Sequence, residues 1–146
     1  MLILGIVLAT GVNCDRPRGV SLTRASFYVS QNGHFACLNG SGKIPFDQVN
    51  DDFCDCEDGS DEPGTAACSN GMFHCTNAGF KPTNILSSRV NDMICDCCDG
   101  SDEWAGYVTC PNTCKEAYAK EYADKIKSNA VQAEGWEVII VYYLKV

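Results

Sequence analysis

Basic residues are scarce in this chain. Eleven lysines and arginines stand against 19 aspartates and glutamates, and the formal net charge is −8. No basic patch exists that could neutralise the phosphates of DNA or RNA, which excludes nucleic acid as a partner. Long apolar runs are missing as well. Residues 2–10 and 137–146 are both too short to cross a bilayer, so we expect no membrane span.

The N-terminal apolar run predicts a signal peptide. Residues 2–10, LILGIVLAT, have the length of a signal-peptide core, and only the terminal amine supplies positive charge before them. Small residues permit cleavage after Gly11 or after Cys14. Cleavage after Cys14 leaves an even number of cysteines. We therefore predict a signal peptide over residues 1–14 and a mature chain that begins near Asp15.

Cysteine, in contrast, is abundant. The chain has eleven cysteines, and ten of them lie between Cys37 and Cys114. In a short chain this density indicates a disulfide framework that forms in an oxidising compartment. Spacing alone does not determine how the cysteines pair.

One acidic segment occurs twice. Residues 49–62 read VNDDFCDCEDGSDE and residues 90–103 read VNDMICDCCDGSDE, with eleven of fourteen positions identical. We name them the first and the second acidic loop. Each holds carboxylates between cysteines, so a cross-linked loop would present oxygens at fixed spacing. Calcium binds about six to eight such oxygens. Two divalent ions would bring the formal charge from −8 to about −4.

Three other interpretations of these loops are weaker. The ligand spacing of an EF-hand is absent. A solvated acidic loop without an ion would not need the repeated spacing or the flanking cysteines. Zinc is the rival metal, because Cys54 and Cys56, like Cys95 and Cys97, have short ligand-like spacing. Hard oxygens surround these sulfurs, however, and oxidation would consume the thiols, so calcium is favoured.

Both loops resemble the signature of the LDL-receptor class A repeat, which ends in D-C-x-D-G-S-D-E. The resemblance implies one calcium ion in each loop, two in all. Asp58 and Asp99 are expected to accept hydrogen bonds from turn amides rather than to bind the metal. The ligands implied for the first ion are the side chains of Asp51, Asp55, Asp61 and Glu62 and the carbonyls of Gln48 and Phe53; for the second ion they are the side chains of Asp92, Asp96, Asp102 and Glu103 and the carbonyls of Arg89 and Ile94.

The same resemblance implies a disulfide pattern. In these repeats the cysteine of a Phe-x-Cys element pairs with the one inside D-C-x-D-G, and the cysteine before the metal loop pairs with one after it. A standard repeat has three bridges, whereas the first copy here has two. The implied pairs are Cys37–Cys56, Cys54–Cys68, Cys75–Cys97, Cys95–Cys110 and, from the two remaining cysteines, Cys98–Cys114.

A narrower resemblance covers roughly residues 16–116. The segments that carry it are RPRGVSL at 16–22, IPFDQVNDD at 44–52, DEPGTAAC at 61–68, FHCTN at 73–77 and NTCKE at 112–116. They are similar to the N-terminal domain of the glucosidase II beta subunit family, the non-catalytic partners of an endoplasmic-reticulum glucosidase. The resemblance implies binding to a catalytic alpha subunit in the lumen and a role in glucose trimming of N-glycans.

The resemblance also implies a truncated form. The family's lectin domain, its long acidic or coiled region and its terminal retention sequence are not found in this sequence. Without the lectin domain we expect no glycan contact.

The predicted fold is a small, disulfide-rich, calcium-stabilised one with little regular secondary structure, in which tandem LDL-receptor class A-like repeats precede a C-terminal helix. Thr113 is expected to cap the helix and Gly135 to end it. The predicted boundaries are a signal peptide at 1–14, the first repeat with an N-terminal extension at 15–70, the second repeat at 71–114, the helix at 115–135 and an atypical, β-prone tail at 136–146.

Catalysis is not expected. Carboxylate pairs hydrolyse glycosides in many enzymes, but all eight candidates are implied calcium ligands, and an ionised ligand cannot donate a proton. The alternative function is a secreted calcium-dependent protein-binding module of the lipoprotein-receptor type. Such modules bind a partner lysine beside an aromatic residue, where this chain has Gln48 and Arg89, which disfavours that function. Trp104 is predicted as an exposed partner anchor, and Asn39 begins a glycosylation sequon.

Overall fold

The computed structural model describes residues 16–144, and the side chains as far as Ala130. The predicted signal peptide at residues 1–14 lies outside the described residues. Two β-hairpins, three short 3-10 turns and one long helix make up the regular secondary structure of the described part. The prediction of a small disulfide-rich fold with a C-terminal helix is confirmed.

Each repeat begins with a two-stranded antiparallel hairpin. In the first repeat β1 (His34–Ala36) pairs with β2 (Lys43–Pro45), and Phe35 lies opposite Ile44. In the second repeat β3 (Met72–Cys75) pairs with β4 (Thr83–Leu86), and Phe73 lies opposite Ile85. Because side chains alternate between the two faces of a strand, one phenylalanine of each hairpin points inward and is buried. A 3-10 turn then leads into the acidic loop.

Two small cores lie under the hairpins. The core of the first repeat contains Val20, Tyr28 and Phe35 together with a disulfide, and that of the second contains Phe73 and Val90 with another. Neither is large enough to hold a domain by apolar burial alone, and chains of this size rely on cross-links for the remainder.

Five disulfides supply those cross-links. They are the five pairs that the resemblance implied, namely Cys37–Cys56, Cys54–Cys68, Cys75–Cys97, Cys95–Cys110 and Cys98–Cys114. The bridge from Cys98 reaches the first residue of the helix, so the helix start is tied to the second acidic loop.

The two repeats contact each other directly. The amide of His74 donates to the carbonyl of Gly19 at 3.0 Å, and the hydroxyl of Ser87 donates to the carbonyl of Cys68 at 2.6 Å. Gly19 has a left-handed φ of 78°, and a Cβ there would lie 1.7 Å from the carbonyl oxygen of Pro63, so only glycine fits this junction.

The helix differs from its predicted extent. Helix α1 runs Cys114–Leu144, so the predictions that Gly135 ends it and that residues 136–146 form a separate tail are wrong up to Leu144. An interior glycine costs a helix only about 1 kcal/mol relative to alanine, and it ends the helix only where the chain turns left-handed. No helix among the described residues is long and apolar enough to cross a membrane.

Candidate functional site: two acidic loops with one geometry

The two acidic loops have the same backbone course. In the first, the amide of Asn50 donates to the carbonyl of Asp61 at 2.9 Å; in the second, the amide of Asn91 donates to the carbonyl of Asp102 at 3.1 Å. These bonds close each loop and bring its last two acidic residues close to its first residues. The repeated sequence therefore folds into a repeated geometry.

A buried aspartate lies at the centre of each loop. Asp61 and Asp102 are both 0% exposed. Oδ2 of Asp61 accepts hydrogen bonds from the amides of Asp55 and Cys56. Oδ2 of Asp102 accepts the equivalent bonds from the amides of Asp96 and Cys97, at 2.7 and 3.2 Å. These bonds fix the middle of the loop around the carboxylate.

A buried glutamate follows each of these aspartates. Glu62 accepts the amides of Asp51 and Asp52 at 2.9 and 3.2 Å. Glu103 accepts the corresponding amides of the second loop at 2.9 and 3.0 Å. Burial raises the pKa of Glu62, because a buried carboxylate is costly when ionised. A nearby cation would offset that cost.

The second carboxylate oxygen of each buried aspartate has no donor. Oδ1 of Asp102 is buried without any hydrogen-bond partner. Oδ1 of Asp61 lies 3.7 Å from the sulfur of Cys68, but that sulfur is in a disulfide and has no hydrogen to donate. An unpartnered anionic oxygen inside a protein is strongly unfavourable. Both loops thus contain an oxygen that fits a cation.

Among the described residues, no three carboxylates of either loop bring their oxygens within 4.8 Å of one another. Asp51 and Asp92 are half-buried, and each accepts an amide two residues further on, from Phe53 at 3.0 Å and from Ile94 at 2.9 Å. Among the described residues, the group of metal-ligand atoms that converges within 4.8 Å is that of Cys54, Asp61 and Cys68.

That converging group cannot bind a metal through sulfur, because Cys54 and Cys68 are bonded to each other. All ten cysteines of the described region are in disulfides, so the thiolates that zinc requires are not present there. The donors that remain are carboxylate and carbonyl oxygens, which suit a hard cation such as calcium.

Asp58 and Asp99 have the turn role that the sequence predicted. Asp58 accepts the amide and the hydroxyl of Ser60 at 3.1 and 2.6 Å, and Asp99 accepts those of Ser101 at 3.1 and 2.7 Å. Partial burial opposes ionisation of Asp58, but these bonds and one from the amide of Asn39 outweigh it and lower its pKa.

Three contacts near the loops were not anticipated from the sequence. The guanidinium of Arg89 contacts the carboxylate of Asp96 at 2.6 Å. The hydroxyl of Thr65 donates to Glu62. The guanidinium of Arg18 lies 3.9 Å from the ring centre of Trp104. Only the position of Thr65, three residues after a buried acid, could have suggested a local partner; the other two contacts depend on how the chain folds.

Trp104 is packed on one side and exposed on the other. Its indole nitrogen donates to the carbonyl of Gly64 at 3.0 Å, which joins the second repeat to the first. The side chain is nevertheless 40% exposed. Asn39, at the tip of the first hairpin, is exposed as well, and its side-chain oxygen accepts the amide of Ser41 at 2.9 Å.

The fold and these loops define a small disulfide-rich module that presents two equivalent acidic sites. The family described as glucosidase II beta subunit-like matches residues 1–138. The chain belongs to this family.

The relatives are similar over most of this chain. Glucosidase 2 subunit beta of Homo sapiens is 56% identical over 137 residues, which are 94% of this chain and 26% of that protein. The Schizosaccharomyces pombe subunit is 53% identical over 106 residues, or 72% of this chain and 20% of the relative. The chain spans about a quarter of the length of the Homo sapiens and Bos taurus subunits.

A solved structure shares the fold. It is a crystal structure of the ER glucosidase II heterodimeric complex, consisting of the catalytic subunit and the binding domain of the regulatory subunit. The matching chain is 40% identical with a TM-score of 0.62, and the match covers 68% of this chain and 98% of that one.

Proposed function

We propose that this chain is a non-catalytic, regulatory and anchoring component that binds the catalytic alpha subunit of glucosidase II. It would act in the lumen of the endoplasmic reticulum, in the glucose trimming of N-glycans and glycoprotein quality control. The observation that carries the proposal is the likeness to a solved binding domain of the regulatory subunit, nearly all of which is matched. An oxidising lumen also suits a module with five disulfides.

The carboxylates of the acidic loops are poorly suited to catalysis. Asp61 and Asp102 are buried and accept backbone amides, and Glu62 and Glu103 do the same. All four side chains are buried and bond backbone amides inside their own loop, so none of them comes within hydrogen-bond reach of a substrate. We therefore assign these residues to structure and to ion binding.

Each acidic loop would bind one calcium ion. The support is the unpartnered oxygen of Asp102, the matching oxygen of Asp61 and the hard-oxygen donor set around them. In the first loop the ligands would be the side chains of Asp51, Asp55, Asp61 and Glu62 with the carbonyls of Gln48 and Phe53. In the second they would be the side chains of Asp92, Asp96, Asp102 and Glu103 with the carbonyls of Arg89 and Ile94. Bound calcium would supply positive charge that holds the loops closed.

Calorimetric titration with calcium tests these sites one at a time. The parent chain is expected to bind two ions, Asp55→Asn and Asp96→Asn to bind one each, and the double variant none. Lys127→Gln on an exposed part of α1 is the matched control and should bind two. Equal binding by the parent and the double variant would remove the ligand assignment.

Partner binding is tested by co-purification with a glucosidase II catalytic alpha chain in calcium. The exposed part of Trp104 is our candidate anchor, so Trp104→Ala should weaken the complex, whereas Tyr107→Ala, at a more exposed aromatic ring nearby, should not. If the alpha chain does not co-purify with the parent protein, the secreted binding-module alternative is favoured. The contact between Arg89 and Asp96 speaks against that alternative, since a guanidinium at the second loop would repel a partner lysine.

Asn39 would carry an N-glycan. It is exposed, and Gly40 after it has a left-handed φ of 77°, which turns the sequon outward at a hairpin tip. Expression through the secretory pathway should give a product that an N-glycosidase shortens, and Asn39→Gln should abolish the shift. A parent chain of unmodified mass would disprove the assignment.

A further inference from the structure

The two acidic loops carry different charge although they share a geometry. With the preceding residue included, positions 48–62 hold seven carboxylates and no base, for a formal charge of −7. Positions 89–103 hold five carboxylates and one arginine, for a formal charge of −4. Gln48 and Arg89 occupy equivalent positions, so the base of the second loop stands where the first has a neutral amide.

Arg89 reaches across its loop to an implied calcium ligand. Its guanidinium lies 2.6 Å from Oδ1 of Asp96, whose side chain is only 16% exposed. The equivalent Asp55 is exposed, and among the described residues it forms no ion pair with a lysine or arginine. Two units of the charge difference come from Asp52 and Glu57, which Met93 and Cys98 replace in the second loop. The third unit is Arg89, and its ion pair acts on one carboxylate, that of Asp96.

A second observation concerns an unpartnered oxygen in the same loop. Asp102 accepts the amide of Asp96 with one carboxylate oxygen, and its other oxygen is buried without a partner. The arginine thus neutralises the outer carboxylate of the loop and leaves the inner oxygen unpaired. If Asp96 and Asp102 share an ion as proposed, that ion either displaces the guanidinium of Arg89 from Asp96 or has it as a neighbour.

We infer that Arg89 is an internal counter-ion that gives the two loops different affinities for calcium. It pairs with Asp96 when calcium is scarce and competes with calcium when the ion is present. The second loop consequently binds calcium more weakly than the first, and it depends less on calcium for its shape. This inference rests on the proposed calcium sites and concerns only their relative strength.

The expected size of the effect follows from electrostatics. A guanidinium next to a divalent cation is repelled, but the Arg89 side chain is 53% exposed, and water screens much of the repulsion. We therefore expect Arg89 to weaken calcium binding at the second loop by about threefold to tenfold.

Calorimetry with one loop silenced isolates the effect. In an Asp55→Asn background, only the second loop should bind, and adding Arg89→Gln should tighten binding by about threefold to tenfold. In an Asp96→Asn background, Gln48→Arg should weaken binding at the first loop by a similar factor. Arg89→Lys keeps the charge and should stay close to the parent value. Lys127→Gln removes a distant charge and should change neither loop.

Thermal melting gives a readout that a merely structural role would not produce. In a chelator, Arg89→Gln loses the ion pair and should melt below the parent. In saturating calcium the same variant should gain more from the ion than the parent does, so the shift between the two conditions becomes larger. Gln48→Arg should show the opposite change.

The outcomes separate the inference from the proposed function. A parent that binds no calcium contradicts the inference and the proposed calcium sites, while the proposed binding of the alpha subunit is decided by co-purification. A parent that binds two ions, with no tightening by Arg89→Gln and no weakening by Gln48→Arg, overturns the role of Arg89 and leaves the calcium sites intact.

Discussion

The two repeats reach the same loop geometry by different means. The core of the first repeat includes Val20 and Tyr28 from the N-terminal segment, and the hydroxyl of Tyr28 donates to the carbonyl of Ser60 at 2.8 Å. That repeat has two bridges. The second repeat has fewer buried apolar residues, and a third bridge joins Cys98 to Cys114. A cross-link in one repeat thus takes the place of apolar burial in the other.

The largest expected effect comes from breaking the third bridge. Cys98→Ala with Cys114→Ala opens a link between residues 16 apart and should destabilise the chain by about 3 kcal/mol on the loop-entropy estimate. The loss should be confined to the second repeat and the start of α1. Denaturant unfolding without a reductant measures it, and hydrogen exchange locates it. An equal loss of hydrogen-exchange protection at the amides of Asp55 and Cys56 would mean that the two repeats do not unfold independently.

The turn glycines should respond unequally to the same substitution. Gly59 and Gly100 both have a left-handed φ of 68°. An added Cβ at Gly100 would lie 2.6 Å from the Cβ of Cys110, which its own disulfide holds in place. At Gly59 the nearest atom, at 2.8 Å, is the flexible end of Asn70, although Cys68 follows at 3.0 Å.

We therefore expect Gly100→Ala to cost about 2–3 kcal/mol and Gly59→Ala about 1–2 kcal/mol, as the sum of backbone strain and crowding. Urea unfolding of the two variants side by side decides the order. The reverse order would show that the second repeat accommodates the added methyl group at a lower cost than the first.

Acid should affect the first repeat through Asp58. The pKa of Asp58 is lower in the folded chain than its ordinary value of 3.8, so its ionised form stabilises the fold. That contribution is fully present above the ordinary value and is lost as the pH falls through the lower, folded value.

Asp58→Asn should cost about 1 kcal/mol at neutral pH, through weaker acceptance of the Ser60 and Asn39 hydrogen bonds, and should flatten the loss of stability below about pH 4. Urea unfolding at a series of acidic pH values measures both. If Asp58→Asn loses stability in acid as the parent does, other carboxylates are responsible for that loss. Asp99→Asn, which removes the same bonds from the second repeat, is the matched variant.

The smallest effect is a gain of stability in the second loop. Met93 and Asp52 occupy equivalent positions with left-handed φ values of 71° and 69°. Aspartate and asparagine tolerate this conformation better than methionine does, and the Met93 side chain is exposed. Met93→Asn should therefore stabilise the chain by about 0.5–1 kcal/mol, and Asp52→Met should destabilise it by a similar amount. Thermal melts of both variants provide the check.

Much of the architecture could be predicted because it is encoded locally. The repeated loop, its turn aspartates and its reversing glycines depend on residues close together in sequence. The helix end could not be predicted in the same way. Gly135 has the residue type of a stop, but the penalty for one glycine is small beside the hydrogen bonds that continue through it.

The amino-acid sequence by itself determined the cross-linked class of fold and the two acidic loops, because cysteine density and short-range turn chemistry do not depend on distant contacts. Only the tertiary structure decided how the loops differ. Arg89 contacts Asp96, and Trp104 bonds Gly64 of the other repeat, since folding brings together groups that sequence distance separates. Folding also buries one oxygen of Asp102 without a hydrogen-bond partner, while the other accepts two backbone amides.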